Sequence, residues 1–172
     1  MKHFDYFAPT EIIFGAGRVT EAGALAARYG KKAMLVTVPE FPAVAELYAK
    51  AKKSLADAGV ACVHYDGVIP NPTTELVTRG AELAKAEGVD VVIGLGGGSS
   101  MDTAKAIAVE ATHPGTAWDY NCHTAGPTEQ TLPILAISTT AGTGSQTTPC
   151  AVITKTSAKD KSAIWRENPA SR

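Results

Sequence analysis

Cysteine is scarce in this 172-residue chain, and its three residues, Cys62, Cys122 and Cys150, stand far apart. Their spacing makes no disulfide framework and no CxxC zinc pattern. Three buried, reduced thiols are expected, as in a cytoplasmic protein. Charge of one sign is lacking too. Sixteen Lys and Arg oppose 17 Asp and Glu, for a formal net charge of −1. No strong field therefore favours nucleic acid or an anionic membrane surface. No apolar run reaches the ~18 residues that a membrane span needs. The opening MKHFDYFAPTEIIF carries Asp5 and Glu11 and has no secretory apolar core. The histidines His3, His64, His113 and His123 show no HxxxH or His/Asp spacing of a metal site, and Cys122-His123 is only a neighbouring pair. There is no G-x-S-x-G nucleophile elbow and no P-loop, because no Gly-Lys-Ser/Thr follows the glycines.

What is present is globular. Hydrophobic residues make up 45% and charged residues 19%, and a chain of this length buries roughly two thirds of its unfolded surface. Strand-like and helix-like stretches alternate. Residues 33–38, 60–65 and 90–93 are short apolar runs that read as buried strands. Between them, Val44, Leu47, Ala51, Leu55 and Ala58 recur at helical spacing from Pro42 to Gly59. Thr73 or Thr74 opens a second helix that runs to about Gly88. A third runs from the glycines after Ile93 to about Thr112, with Met101, Ala104, Ile107, Ala108 and Ala111 on one face. Residues 114–133 read as a long loop with a turn of helix near Trp118. A fourth strand spans 132–138 and a further short one 151–154. This rhythm predicts an α/β fold, a Rossmann-like parallel sheet with helices on both faces. In such sheets ligands sit at the carboxyl ends of the strands.

Two glycine-rich loops fall at such ends. The first is GLGGGSSMD, residues 94–102. Gly96, Gly97 and Gly98 allow positive φ and close approach of a ligand to the backbone. Ser99 and Ser100 can cap the helix that follows, whose N-terminus attracts phosphate. Asp102 either complements the helix dipole or accepts hydrogen bonds from a ligand hydroxyl or from loop amides. Lys105, one turn on, could pair with Asp102, but it reads as solvated. The G-x-G-x-x-G fingerprint is incomplete, since Ser99 stands at its third glycine, and GAGRVT at 15–20 matches no better. The second loop, TTAGTGS, sets Thr139, Thr140, Thr143 and Ser145 around Gly142 and Gly144. Its hydroxyls and free amides suit phosphate, ribose or carboxamide recognition.

Together, GGGSSMDTAKAIA, DGVIPNPTTE, LPILAISTTAGTGS and PTEIIFGAGRVTEAG resemble the N-terminal half of the iron-containing (group III) alcohol dehydrogenases. The resemblance runs from about residue 4 to Lys161. It implies an NAD(P)-binding domain over residues 1–172 of the dehydroquinate synthase-like superfamily, ending near an interdomain boundary. The helical metal domain that would follow is expected to be missing here. Carried over by position, Gly98, Ser99, Ser100, Met101 and Asp102 would line the pyrophosphate, and Asn71 would contact the dinucleotide. Thr139, Thr140 and Thr143 would approach phosphates, ribose or nicotinamide, and Val152 and Lys161 match further cofactor-contacting positions.

The implied reaction is hydride transfer between a primary alcohol or aldehyde and nicotinamide, in a cytoplasmic homo-oligomer. A divalent metal, iron or zinc, is expected only in the complete enzyme, so this chain alone is expected to be inactive. A polyol dehydrogenase or dehydroquinate-synthase-like enzyme shares the same plan, and a non-catalytic nucleotide-binding module is the reading of a different class. Two departures from the family pattern bear on the cofactor. Val38 stands where Asp is common and would accept from the adenine ribose, which leaves NAD and NADP both open. Gln146 stands where Glu is usual after GTGS.

Overall fold

The fold is a computed structural model that describes His3 and residues 9–124 and 126–165. Four parallel strands, β1 (Lys32–Val36), β2 (Ala61–Tyr65), β3 (Val91–Gly96) and β4 (Ile134–Ser138), form one sheet in the order β2-β1-β3-β4. The connecting helices are α2 (Pro42–Asp57), α3 (Thr74–Glu87) and α4 (Gly98–Glu110), with a short α1 (Ala22–Ala26) ahead of β1. Side chains of a strand alternate between faces, and the inner strands are apolar on both. Met34, Val36 and Val92 join a core with Val77, Ala104 and Ile107 of α3 and α4. Ala33, Leu35, Val91, Ile93 and Leu95 join a second core with Ala26 of α1 and Tyr48, Ala51 and Leu55 of α2. Helices therefore cover both faces, as the alternation predicts.

The helix ends show how sequence sets boundaries. Pro42 opens α2, where its missing N–H is no loss. Thr73 caps α3 by accepting from the Leu76 amide at 3.4 Å, and Gly88 at φ 61 ends it. The start of α4 differs from the reading above. Its N-cap is Gly97, no side chain caps it, and Ser99 and Ser100 lie inside the helix. The extended Gly97 (φ −82, ψ −171) already turns the chain, so the boundary comes before either serine.

The segment at 151–154 is a strand, β5 (Cys150–Lys155), but it stands apart from the main sheet. It pairs antiparallel with β6 (Asp160–Trp165), which the polar-rich DKSAIW pattern did not announce. The hairpin's inner side chains, Ala151, Ile153 and Ile164, seal the α3–α4 core. Among its described residues, the loop at 114–133 carries one 3-10 turn, Ala117–Tyr120. The thiols are free, but none is buried as expected: Cys62 and Cys122 are exposed and Cys150 is half-buried. Cys62 lies on β2, an edge strand whose first residues face solvent. Among the described residues, no helix is long and apolar enough to cross a membrane.

Candidate dinucleotide site

Strand order reverses between β1 and β3. From β1 the chain runs outward to β2, then crosses back to β3 on the other side. Such a switch point opens a crevice at the strands' carboxyl ends, and the first glycine loop leaves β3 there. Two of its glycines answer to packing. A Cβ on Gly94 would lie 2.9 Å from Met101 Cα and 3.0 Å from Ala104 Cβ, so this glycine lets α4 lie tight on β3. Gly96 has φ 146, and a Cβ there would meet Ser100 Oγ at 2.5 Å. Gly97 and Gly98 are different, because they face the second loop. A Cβ on Gly98 would sit 2.8 Å from Thr143 Cγ2 and 2.9 Å from its Oγ1, and one on Gly97 would sit 3.8 Å from Thr140 Oγ1. The Thr139 amide donates to the Gly96 carbonyl at 3.0 Å and fixes the two loops edge to edge. The result is an uncapped N-terminus of a 13-residue helix, roofed by threonine hydroxyls.

Asp102 settles between its two readings in favour of loop contacts. Its Oδ1 accepts from Ser145 Oγ at 2.7 Å, and its Oδ2 accepts from the Val152 amide at 3.2 Å. Lys105 overturns the solvated reading, since only 8% of it is exposed. The reason is that α4 is buried almost all round, from Ser100 and Met101 through Thr103–Glu110. Its ammonium donates to Ser145 O at 2.6 Å, Ser145 Oγ at 2.8 Å and Cys150 O at 2.7 Å. Burial pushes the Lys105 amine below its ordinary value, against the opposing pull of Asp102. The same desolvation raises the Cys150 thiol, helped by Asp102. The sequence reading missed Lys105 as a site-building residue. The available signal was a single lysine in a helix, MDTAKAIAVE, with hardly any polar face.

The other candidates come in through the hairpin. Val152 and Thr154 alternate with the core-facing Ala151 and Ile153, and Thr154 pairs with Lys161. Val152 and Lys161 thus share the hairpin's outer face. Lys161 Nζ donates to Asn71 Oδ1 at 2.7 Å, and the Thr154 amide donates to the Pro72 carbonyl at 2.8 Å. Asn71, at φ 54, is thereby tied to the same hairpin that Asp102 holds. Two buried side-chain oxygens lack a partner among the described residues, Ser100 Oγ beneath Gly96 and Gln146 Oε1 after the second loop. Val38, at the end of β1, half-buries its side chain against the α3–α4 core.

Among the described residues, no three His, Cys, Asp or Glu side chains converge where they could hold a metal ion. His64 lies against Thr37, at 2.9 Å. His113 is buried, its Nε2 accepting from the Thr128 amide at 2.9 Å, which leaves Nδ1 to donate to the Val109 carbonyl.

The sequence matches the family model of iron-containing alcohol dehydrogenases over residues 9–171. The chain belongs to the iron-containing alcohol dehydrogenase family. A choline dehydrogenase of Bacillus subtilis is 45% identical over 160 residues, covering 90% of this chain and 39% of its own length. An NAD-dependent methanol dehydrogenase of Bacillus methanolicus is 34% identical over 163 residues, covering 95% of this chain and 42% of its own. Among solved structures, an archaeal halo-thermophilic alcohol dehydrogenase from a Red Sea brine pool superposes with a TM-score of 0.90 at 42% identity. That match covers 96% of this chain and 44% of the archaeal one. This family member therefore spans about two fifths of the relatives it matches, and the matched part is an α/β unit in both.

Proposed function

We propose that this chain binds a nicotinamide dinucleotide, NAD or NADP, across the β1/β3 switch point and forms the cofactor half of an alcohol dehydrogenase. The observation that carries this reading is the uncapped N-terminus of α4 facing the threonine loop. Gly97 and Gly98 leave space beside amides that have no intrahelical partner. The partial positive charge of the helix end favours a pyrophosphate there. Ser99 supplies a first-turn amide, while Gly96, Ser100 and Met101 shape the cradle from below. Thr139, Thr140 and Thr143 supply hydroxyls opposite. Asp102 holds Val152, and Asn71 and Lys161 form the rim toward the ribose. A bound nicotinamide supplies the hydride acceptor; the chain's own residues bind and orient it. The metal in the family's name finds no ligand set among the described residues. The NAD-dependent relative favours NAD, whereas Val38 places no carboxylate against a 2′-phosphate.

Titration calorimetry of the 172-residue chain with NAD and with NADP tests the reading. Saturable heat with either supports it, and no heat up to millimolar cofactor overturns it. The chain alone is expected to oxidise no alcohol. Robust metal-dependent ethanol oxidation by the purified chain would contradict that half of the proposal.

A further inference from the structure

Burying an ammonium is costly unless every donor is matched. A lysine ammonium has three N–H donors, and Lys105 has three acceptors: the Ser145 carbonyl, the Ser145 hydroxyl and the Cys150 carbonyl. The two carbonyls stand at the two ends of the 145–150 segment, and one charge draws both to a single point on α4. Ser145 then passes the connection on. Its Oγ accepts from Lys105 and donates to Asp102 Oδ1 at 2.7 Å, while Asp102 Oδ2 holds the Val152 amide. In the other direction, the Ser145 amide donates to Thr143 Oγ1 at 3.2 Å, and it is Thr143 that lies over Gly98. A continuous set of contacts thus runs from a buried charge to the roof of the cradle and to the outer face of the hairpin.

We propose that Lys105 is a positioning residue for the dinucleotide site: its ammonium clamps the 143–152 segment onto α4 and so sets Thr143, Asp102 and Val152 for the cofactor. The proposal rests on the dinucleotide reading for its effect on binding, and on geometry alone for its effect on the loop. An apolar side chain of similar length fills the same space but gives two carbonyls no reason to converge.

The test compares the unmodified chain with Lys105→Met, Ser145→Ala and the double variant. Without cofactor, amide hydrogen exchange across residues 143–152 is expected to rise in Lys105→Met, while the β1 and β3 amides keep their protection. With cofactor, the dissociation constant for NADH is expected to rise by about tenfold or more, and the double variant to be no worse than the single. That saturation marks one shared network, and a residue needed only for general stability would instead loosen β1 and β3 as well. Unchanged exchange at 143–152, or strictly additive losses, overturns the proposal. If Lys105→Met does not fold, Lys105→Gln decides, since it keeps a polar group on α4 but removes the charge and the reach to both carbonyls. Wild-type exchange and affinity in that variant would again overturn it. The two readings separate cleanly. An unmodified chain that binds no NADH refutes the dinucleotide site, and the exchange result still judges the clamp. An unmodified chain that binds NADH no better than Lys105→Met refutes the clamp alone.

Discussion

Replacing Gly98 by alanine adds one methyl at the point where the two loops meet, and its effects on stability and on binding should separate. Gly98 is the first residue of α4 and its φ lies outside the left-handed region, so alanine fits the backbone. Restricting the unfolded chain then favours the variant by about 0.4–1 kcal/mol. The methyl, however, would stand 2.8 Å from Thr143 Cγ2 and 2.9 Å from Oγ1. Ordinary contact needs roughly 3.5–4.0 Å, so Thr143 must withdraw by roughly 1 Å. That movement strains its acceptance of the Ser145 amide, a bond of about 1 kcal/mol. The terms nearly cancel, and the melting temperature should move by no more than about 2–4 °C. Binding has no such compensation, because the methyl fills the gap beside the free amides. A 10- to 100-fold rise in the dissociation constant, about 1.4–2.8 kcal/mol, is expected. Gly96→Ala is the control. Its φ of 146 costs a side chain about 1–3 kcal/mol. Overlap with buried Ser100 adds about 1–3 more, so this variant should lose stability first. NADH fluorescence titration beside thermal melts reads both quantities. Wild-type affinity in Gly98→Ala, or a melting loss matching Gly96→Ala, would refute the reasoning.

Three further outcomes follow from other contacts. Val38→Asp should shift the ratio of NADP to NAD affinity toward NAD by about tenfold, because a carboxylate there repels a 2′-phosphate and accepts from ribose hydroxyls; equal ratios in parallel titrations would place the ribose elsewhere. Burial holds the His64 imidazole below its ordinary value of 6.5, with Lys52 acting in the same direction and Asp66 and Glu40 opposing. Since the folded value is the lower one, stability from this residue is complete above pH 6.5. It is lost as pH falls from there through the depressed folded value. A melting curve series from pH 7.5 to 5 should therefore be flatter for His64→Phe than for the unmodified chain, and parallel curves would remove His64 from the account. Gly23→Ala should cost about 1–3 kcal/mol by denaturant titration, because its methyl would run into the Ser54 carbonyl where α1 meets α2. An unchanged midpoint would mean that this contact relaxes freely.

Much of this architecture is legible because burial leaves a periodic trace. Beyond Lys32 at the start of β1, the inner strands carry no polar side chain, since both their faces meet helices, and α2 and α3 repeat at helical spacing because one side of each meets solvent. The trace fails where partners are distant in sequence. β6 has a mixed pattern because one face packs on the core and the other carries Lys161 out to Asn71, 90 positions away. Gly94 and Gly96 look like part of a ligand loop, yet their lack of a Cβ is explained by Met101, Ala104 and Ser100, whose closeness depends on how α4 docks. Ser99 and Ser100 look like caps because serine often is one, but a glycine already makes the turn.

Lys105 is the most instructive misreading, because a lysine is assigned to solvent by its own chemistry. That assignment holds when a helix has a wet face. α4 has almost none, being enclosed by β3, α3 and the β5–β6 hairpin. Once a helix is enclosed, a lysine on it must find acceptors inside, and backbone carbonyls of a loop with little regular structure are the acceptors on offer. The enclosure that hides the charge therefore also makes it an organiser of the loop. In a helix that is apolar all round, a lone lysine is better treated as a contact to be located than as surface, and here the contact leads directly to the residues over Gly98.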